Sequence, residues 1–106
     1  MSVKATNDTF RSEISAGLVM ADFYSDSCVP CKRMSPVLAE LEEQTGVKLV
    51  KLNVNFDGQT AAEYGVTAVP TVIFFRDGEE QQRVTGAVKK SQLEEIINTL
   101  KATPHN

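Results

Sequence analysis

Cys28 and Cys31 are the only two cysteines in a chain of 106 residues, and just Val29 and Pro30 separate them. They stand in "YSDSCVPCKRM", Tyr24 to Met34, at the seam between an apolar run and a helical pattern. A sulfur placed where a helix begins meets unpaired backbone N–H groups and the positive end of the helix dipole. Both stabilise an anion, and the thiolate is the nucleophilic form of cysteine. A thiol with a pKa near 8.5 is only about 3% ionised at neutral pH, whereas one near 7 is about half ionised. The difference corresponds to roughly 2 kcal/mol, and Lys32 and Arg33 push in the same direction. The chemistry of such a pair is thiol–disulfide exchange. Cys28, placed first and expected to be the more exposed, would attack a substrate disulfide. Cys31, one helical turn on and facing inward, would then attack the mixed disulfide.

Three plainer roles compete. A structural disulfide across so short a loop gains little from chain entropy. A zinc site needs about four ligands, and His105 is the one histidine available beside the two thiols. The cysteines could also pack as small, inert hydrophobes.

The elements that must position the pair follow from the pattern of apolar residues. "LVMADFY", Leu18 to Tyr24, reads as a buried strand bounded by Gly17 and Ser25. Asp22 interrupts it, and from the residues alone it is either buried in that strand or solvent-facing on a half-exposed one. Met34, Val37, Leu38 and Leu41 then fall at i, i+3, i+4 and i+7, predicting a helix from about Pro30 to Thr45 that Gly46 stops. Pro30 suits its first turn, while Pro36 lies inside it and is expected to kink it. Upstream, Asn7-Asp8 is a candidate cap for a short helix through about Ala16. Downstream, Val47 to Val54 is a strand carrying Lys51, and a turn at Asp57-Gly58 leads to a short helix ending by Gly65. Thr71 to Phe75 is a strand entered from Val69-Pro70. Asp77-Gly78 is a hairpin turn, and "QQRVTG" returns before Gly86. Ser91 and Glu94 form a capping box for a last helix whose apolar face is Leu93, Ile96, Ile97 and Leu100. Residues 103–106 read as a frayed tail.

Strands and helices alternate, then a hairpin and a helix finish the chain, which predicts a single α/β domain with a mixed sheet. The length suffices for one hydrophobic core without a disulfide or metal to support it. With 42% hydrophobic and 24% charged residues the composition is that of an ordinary globular protein. The net charge of −3 and scattered basic residues argue against nucleic acid or an anionic membrane as partner. No apolar run approaches the roughly 20 residues needed to span a bilayer. "MSVKATNDTF" has no apolar signal-like core, so the expected location is a reducing cytoplasm, where a close cysteine pair is more often catalytic or metal-binding than structural.

Several motifs occur together in one order: "ADFYS" with Asp22, C-x-P-C-K at Cys28 to Lys32, Pro36, and "KLNV" with Lys51. They continue with "YGVTAVPT" at Tyr64 to Thr71, the hairpin at Phe74 to Gly78, and Gly86. Over essentially its whole length the chain thus resembles the thioredoxin family. The resemblance implies a thioredoxin-like fold, a central mixed sheet of about five strands flanked by about four helices. It implies reduction of protein disulfides through Cys28 as nucleophile and Cys31 as resolving thiol. Pro70 would be a cis-proline beside the disulfide, and the backbone of Val69 would pair with a bound client chain. Asp22 would be a buried proton acceptor and donor behind Cys31, with Lys51 as its partner. Ser27, Val29 and Pro30 would border the bound client. No bound cofactor is implied, because electrons would come from a thioredoxin reductase. Disulfide-containing client proteins would be the other partners, and the expected state is a monomer.

Two residues depart from the family's common W-C-G-P-C. Ser27 replaces a large aromatic, and Val29 replaces a flexible glycine with a stiff β-branched side chain. Tyr24 stands where a second tryptophan is frequent, and the chain contains no tryptophan. Two rival functions follow. One is a specialised relative, a disulfide donor or a reductase serving a dedicated partner. The other is a binding module on the same fold whose thiols are secondary.

Overall fold

The computed structural model describes residues 1–103. Five strands form one sheet, β1 (Val3–Ala5), β2 (Leu18–Tyr24), β3 (Lys48–Asn53), β4 (Thr71–Arg76) and β5 (Glu79–Thr85). Four helices accompany them, α1 (Phe10–Glu13), α2 (Val29–Thr45), α3 (Gly58–Glu63) and α4 (Lys90–Ala102). The strand order is β1-β3-β2-β4-β5. β1 and β2 run parallel to β3, whereas β4 is antiparallel to β2 and to β5, so the sheet is mixed as expected.

The two-residue period of β2 divides the core. Val19, Ala21 and Phe23 join Phe10, Ile14, Ala61 and Phe75 on the face covered by α1 and α3. Met20 points the other way, into a cluster with Met34, Leu38, Leu41, Leu93 and Ile97 from α2 and α4. Asp22 shares the parity of Met20 and therefore faces α2. On β3, Leu49 belongs to that same cluster, and Lys51 shares its parity. The sheet thus puts one carboxylate and one ammonium on the face that carries the cysteine helix.

Local chemistry fixes the ends of the elements that matter here. α2 stops at Gly46, whose φ of 76° is the left-handed conformation that glycine adopts without penalty. At the β4–β5 hairpin Asp77 and Gly78 both have positive φ, 50° and 85°, as a type I′ turn requires. α2 continues without interruption across Pro36.

Several expected boundaries are corrected. α1 ends at Glu13, and its N-cap is Thr9. Asn7 is engaged elsewhere: its Oδ1 accepts from the backbone N–H and the hydroxyl of Thr60, at 2.9 and 2.7 Å. It thereby caps α3 from 53 residues away. The Ser91–Glu94 box is not used either. α4 starts at Lys90, and the carbonyl of Lys89 closes the first turn by accepting from the N–H of Gln92 and Leu93. β5 begins two residues before "QQRVTG". α4 reaches Ala102, and of the expected tail only Thr103 is described; His105 lies outside the described residues.

Candidate active site

β2 ends at Tyr24, and the chain crosses a four-residue turn before α2 begins at Val29. Cys28 is the N-cap of α2, with an extended backbone at φ −91° and ψ 107°. Its Sγ accepts a hydrogen bond from the backbone N–H of Cys31 across 3.1 Å. A side-chain acceptor at this position satisfies one of the helix's orphan donors, and here the acceptor is sulfur. Cys28 and Cys31 are joined by a disulfide with 5.2 Å between their Cα atoms. Cys28 is partly exposed, whereas Cys31 is 4% exposed and faces the core. Among the described residues no group of three or more His, Cys, Asp or Glu is placed to hold a metal ion.

Behind the disulfide lies a cavity of about 170 Å³ lined by Cys31, Ser35, Asp22, Lys51, Tyr24 and Asp26, among others. It is roomy enough for several water molecules. Asp22 is 1% exposed, and neither carboxylate oxygen has a hydrogen-bond partner. Burial disfavours its charged form and pushes the carboxyl up to about 6, while the positive charge of Lys51 opposes the rise. Asp22 and Lys51 are register partners on β2 and β3, yet they form no ion pair within 4 Å. Lys51 Nζ donates instead to Ser35 Oγ at 2.9 Å and lies 4.9 Å from the centroid of the Tyr24 ring.

The remaining candidates gather at the same end of the sheet. Thr71 of β4 pairs with Phe23 of β2, so Pro70 lies at the end of β2 from which the chain runs on to Cys28. The Val69–Pro70 peptide bond is cis, and the Pro70 carbonyl accepts from the N–H of Gly86 at 2.8 Å. Val69 is partly exposed and Pro70 buried. Ser27 and Pro30 are exposed, and Val29, the first residue of α2, is 58% exposed. The structure thus separates an outward group around Cys28 from an inward one, Asp22, Cys31 and Lys51, that shares the cavity.

Ser35 was not among the residues singled out from the sequence. The signal was its spacing: Cys31, Met34, Ser35 and Leu38 stand at i, i+3, i+4 and i+7, so the hydroxyl shares the inward stripe of α2 with the second cysteine. Asn53 was also missed; its amide donates to the Asp26 carboxylate at the rim of the cleft, at 2.8 Å.

Known proteins carry the same organisation. The thioredoxin family model matches residues 1–99. The thioredoxin of Bacillus subtilis is 42% identical over 98 residues, covering 91% of this chain and 94% of the relative. That of Chlamydia caviae is 42% identical over 92 residues, 86% and 90% of the two chains. Among solved structures, thioredoxin f2 of Chlamydomonas reinhardtii superposes with a TM-score of 0.88 at 28% identity, covering 98% of this chain and all of that one.

Proposed function

The chain belongs to the thioredoxin family, and on that premise we propose how its residues divide the work of disulfide exchange. It is a thiol–disulfide oxidoreductase acting on protein disulfides. The observation that carries the division of labour is the hydrogen bond from the Cys31 N–H to Cys28 Sγ at the start of α2. A donor aimed at that sulfur, together with the helix dipole, favours the thiolate on Cys28 once the pair is reduced.

Cys28 is the nucleophile. Its thiolate bonds to one sulfur of a client disulfide, and the client's S–S bond breaks to release the other sulfur as a thiolate, which takes up a proton. Cys31 then gives its proton to Asp22, through water in the cavity, and attacks Cys28 Sγ. The second client sulfur leaves, the Cys28–Cys31 bond forms, and two electrons have passed to the client. A carboxyl titrating near 6 is matched to this task, because it is ionised at neutral pH yet still basic enough to take a thiol proton. Lys51 acts on Asp22 through its charge. Val69, partly exposed ahead of the cis Pro70, pairs through its backbone with an extended client segment in this reading, with Ser27, Val29 and Pro30 bordering it.

Working as one domain and as a monomer, the protein serves as a general reductase in a reducing cytoplasm. A thioredoxin reductase returns the electrons, and its flavin or nicotinamide stays with that partner, since this chain has no G-x-G-x-x-G fingerprint. One observation favours a narrower role, a reductase with a dedicated partner: Val29 presents an exposed apolar side chain beside Cys28. The deciding experiment is trapping. Cys31→Ser should accumulate mixed disulfides between Cys28 and client proteins, and Cys28→Ser should form none and reduce no protein disulfide. Adducts that form equally with Cys28→Ser would overturn the assignment.

A further inference from the structure

Ser35 lies one turn beyond Cys31 on the inward stripe of α2, among the buried Cys31, Met34 and Leu38. A hydroxyl on such a stripe needs a partner, and the one it has is a charge: its Oγ accepts from Lys51 Nζ at 2.9 Å. The same ammonium sits over the Tyr24 ring at 4.9 Å. It is therefore held from two sides, by a lone pair on α2 and by the negative face of an aromatic ring on β2. Across the strands, its register partner Asp22 keeps both oxygens unpartnered. A lysine on a flexible stem, next to a buried carboxylate with no hydrogen-bond partner, would close on it if nothing held it back.

We propose that Ser35 is a positioning residue of the exchange site: its hydroxyl holds the Lys51 ammonium against Tyr24 and out of ion-pair contact with Asp22, leaving the carboxylate free for the proton of Cys31. This rests on the assignment of Asp22 as proton acceptor given above. The groups sharing the cavity with Asp22 are Lys51 from β3, Cys31 and Lys32 from α2, Tyr24 of β2 and Asp26 just beyond it. β4 contributes only the apolar Val72 opposite Asp22. Of the two lysines on the paired strand, Lys48 stands opposite Val19 and Lys51 opposite Asp22, and the burial that raises the carboxyl to about 6 is opposed by Lys51 alone.

Two readouts test this on the reduced, full-length protein. The first is titration of the Asp22 carboxyl carbon by NMR. The second is the pH dependence of Cys31 attack on a chromogenic aryl mixed disulfide placed on Cys28, followed by release of the aryl thiol. In Ser35→Ala the ammonium is expected to close on Asp22, moving its midpoint about one pH unit toward acid. The less basic carboxylate should slow the attack at neutral pH by roughly three- to ten-fold. Ser35→Thr, which keeps the hydroxyl, should restore both, and Ser35→Ala in a Lys51→Met background should move neither. An unchanged or alkaline-shifted midpoint in Ser35→Ala, or an acid shift that persists without Lys51, overturns the proposal. If the midpoint moves as expected and the attack rate does not follow, Ser35's hold on Lys51 is supported and the assignment of Asp22 as the acceptor falls.

Discussion

The backbone N–H of Cys31 points at the sulfur of Cys28 across 3.1 Å. Because the donor belongs to the main chain, replacing the Cys31 side chain leaves it in place. The Cys28 thiol of reduced Cys31→Ser is therefore expected to titrate below the ordinary value of about 8.5. The rate of its alkylation by iodoacetamide, measured from pH 5 to 10, reports that midpoint directly. A midpoint at the ordinary value would mean that the helix terminus does not stabilise the thiolate, and the nucleophile would have to be sought in Cys31.

Asp22 carries the opposite kind of energetics, since its charge is disfavoured by the fold that houses it. The carboxyl titrates at about 6 in the folded protein against an ordinary 3.8, with burial as the cause. Between those values the folded chain holds a proton that the unfolded chain has released. The stability linked to that proton is complete below pH 3.8 and is lost as the pH rises through 6. The difference is worth roughly 3 kcal/mol. Asp22→Asn cannot ionise, and the unmade hydrogen bonds of its amide offset part of the gain. It is expected to exceed the parent in stability at pH 8 by about 1–3 kcal/mol and to lose that advantage by pH 4. Urea denaturation of the oxidised proteins at the two pH values checks this. A variant less stable than its parent at pH 8 would show that ionised Asp22 supports the fold.

What the sequence made legible, and what it did not, follows the range of the interactions involved. The cysteine pair, the stripe of α2 and the Asp77-Gly78 turn are written in residues a few positions apart, and all three appear where their pattern places them. Asp22 was visible as a charge inside an apolar run, but its burial depends on β3, β4 and α2 closing around it. β1 has three residues, too few for any periodicity to register, and it exists because β3 offers an edge to pair with. Asn7 has the chemistry of a local helix cap, and nothing nearby reveals that it caps α3 instead. Ser91 and Glu94 carry the right spacing for a box, yet the Lys89 carbonyl already closes that turn. Ser35 drew no reading from the sequence; only its offset of four from Cys31 marks it as inward-facing. The longer strands and helices were legible from local chemistry, whereas the polar contacts around Asp22 and Lys51 join residues distant in the chain.

Val29 offers a test of client choice that leaves the thiols untouched. The residue is 58% exposed at the first position of α2, beside Cys28, where a client would approach to reach the sulfur. Covering roughly half of a valine side chain on docking contributes about 1 kcal/mol, near a five-fold effect on affinity. Alanine keeps the helical backbone while removing that surface, which a glycine would not do. Val29→Ala is therefore expected to raise KM for clients with apolar residues beside their disulfide by roughly five-fold, with kcat nearly unchanged. Clients with polar flanks should respond much less. The comparison is made by steady-state reduction of two peptides that share one disulfide and differ only in flanking residues. Equal KM values for parent and variant on the apolar peptide would remove Val29 from the docking surface. The favoured reading would then be a general reductase whose selectivity comes from backbone pairing at Val69.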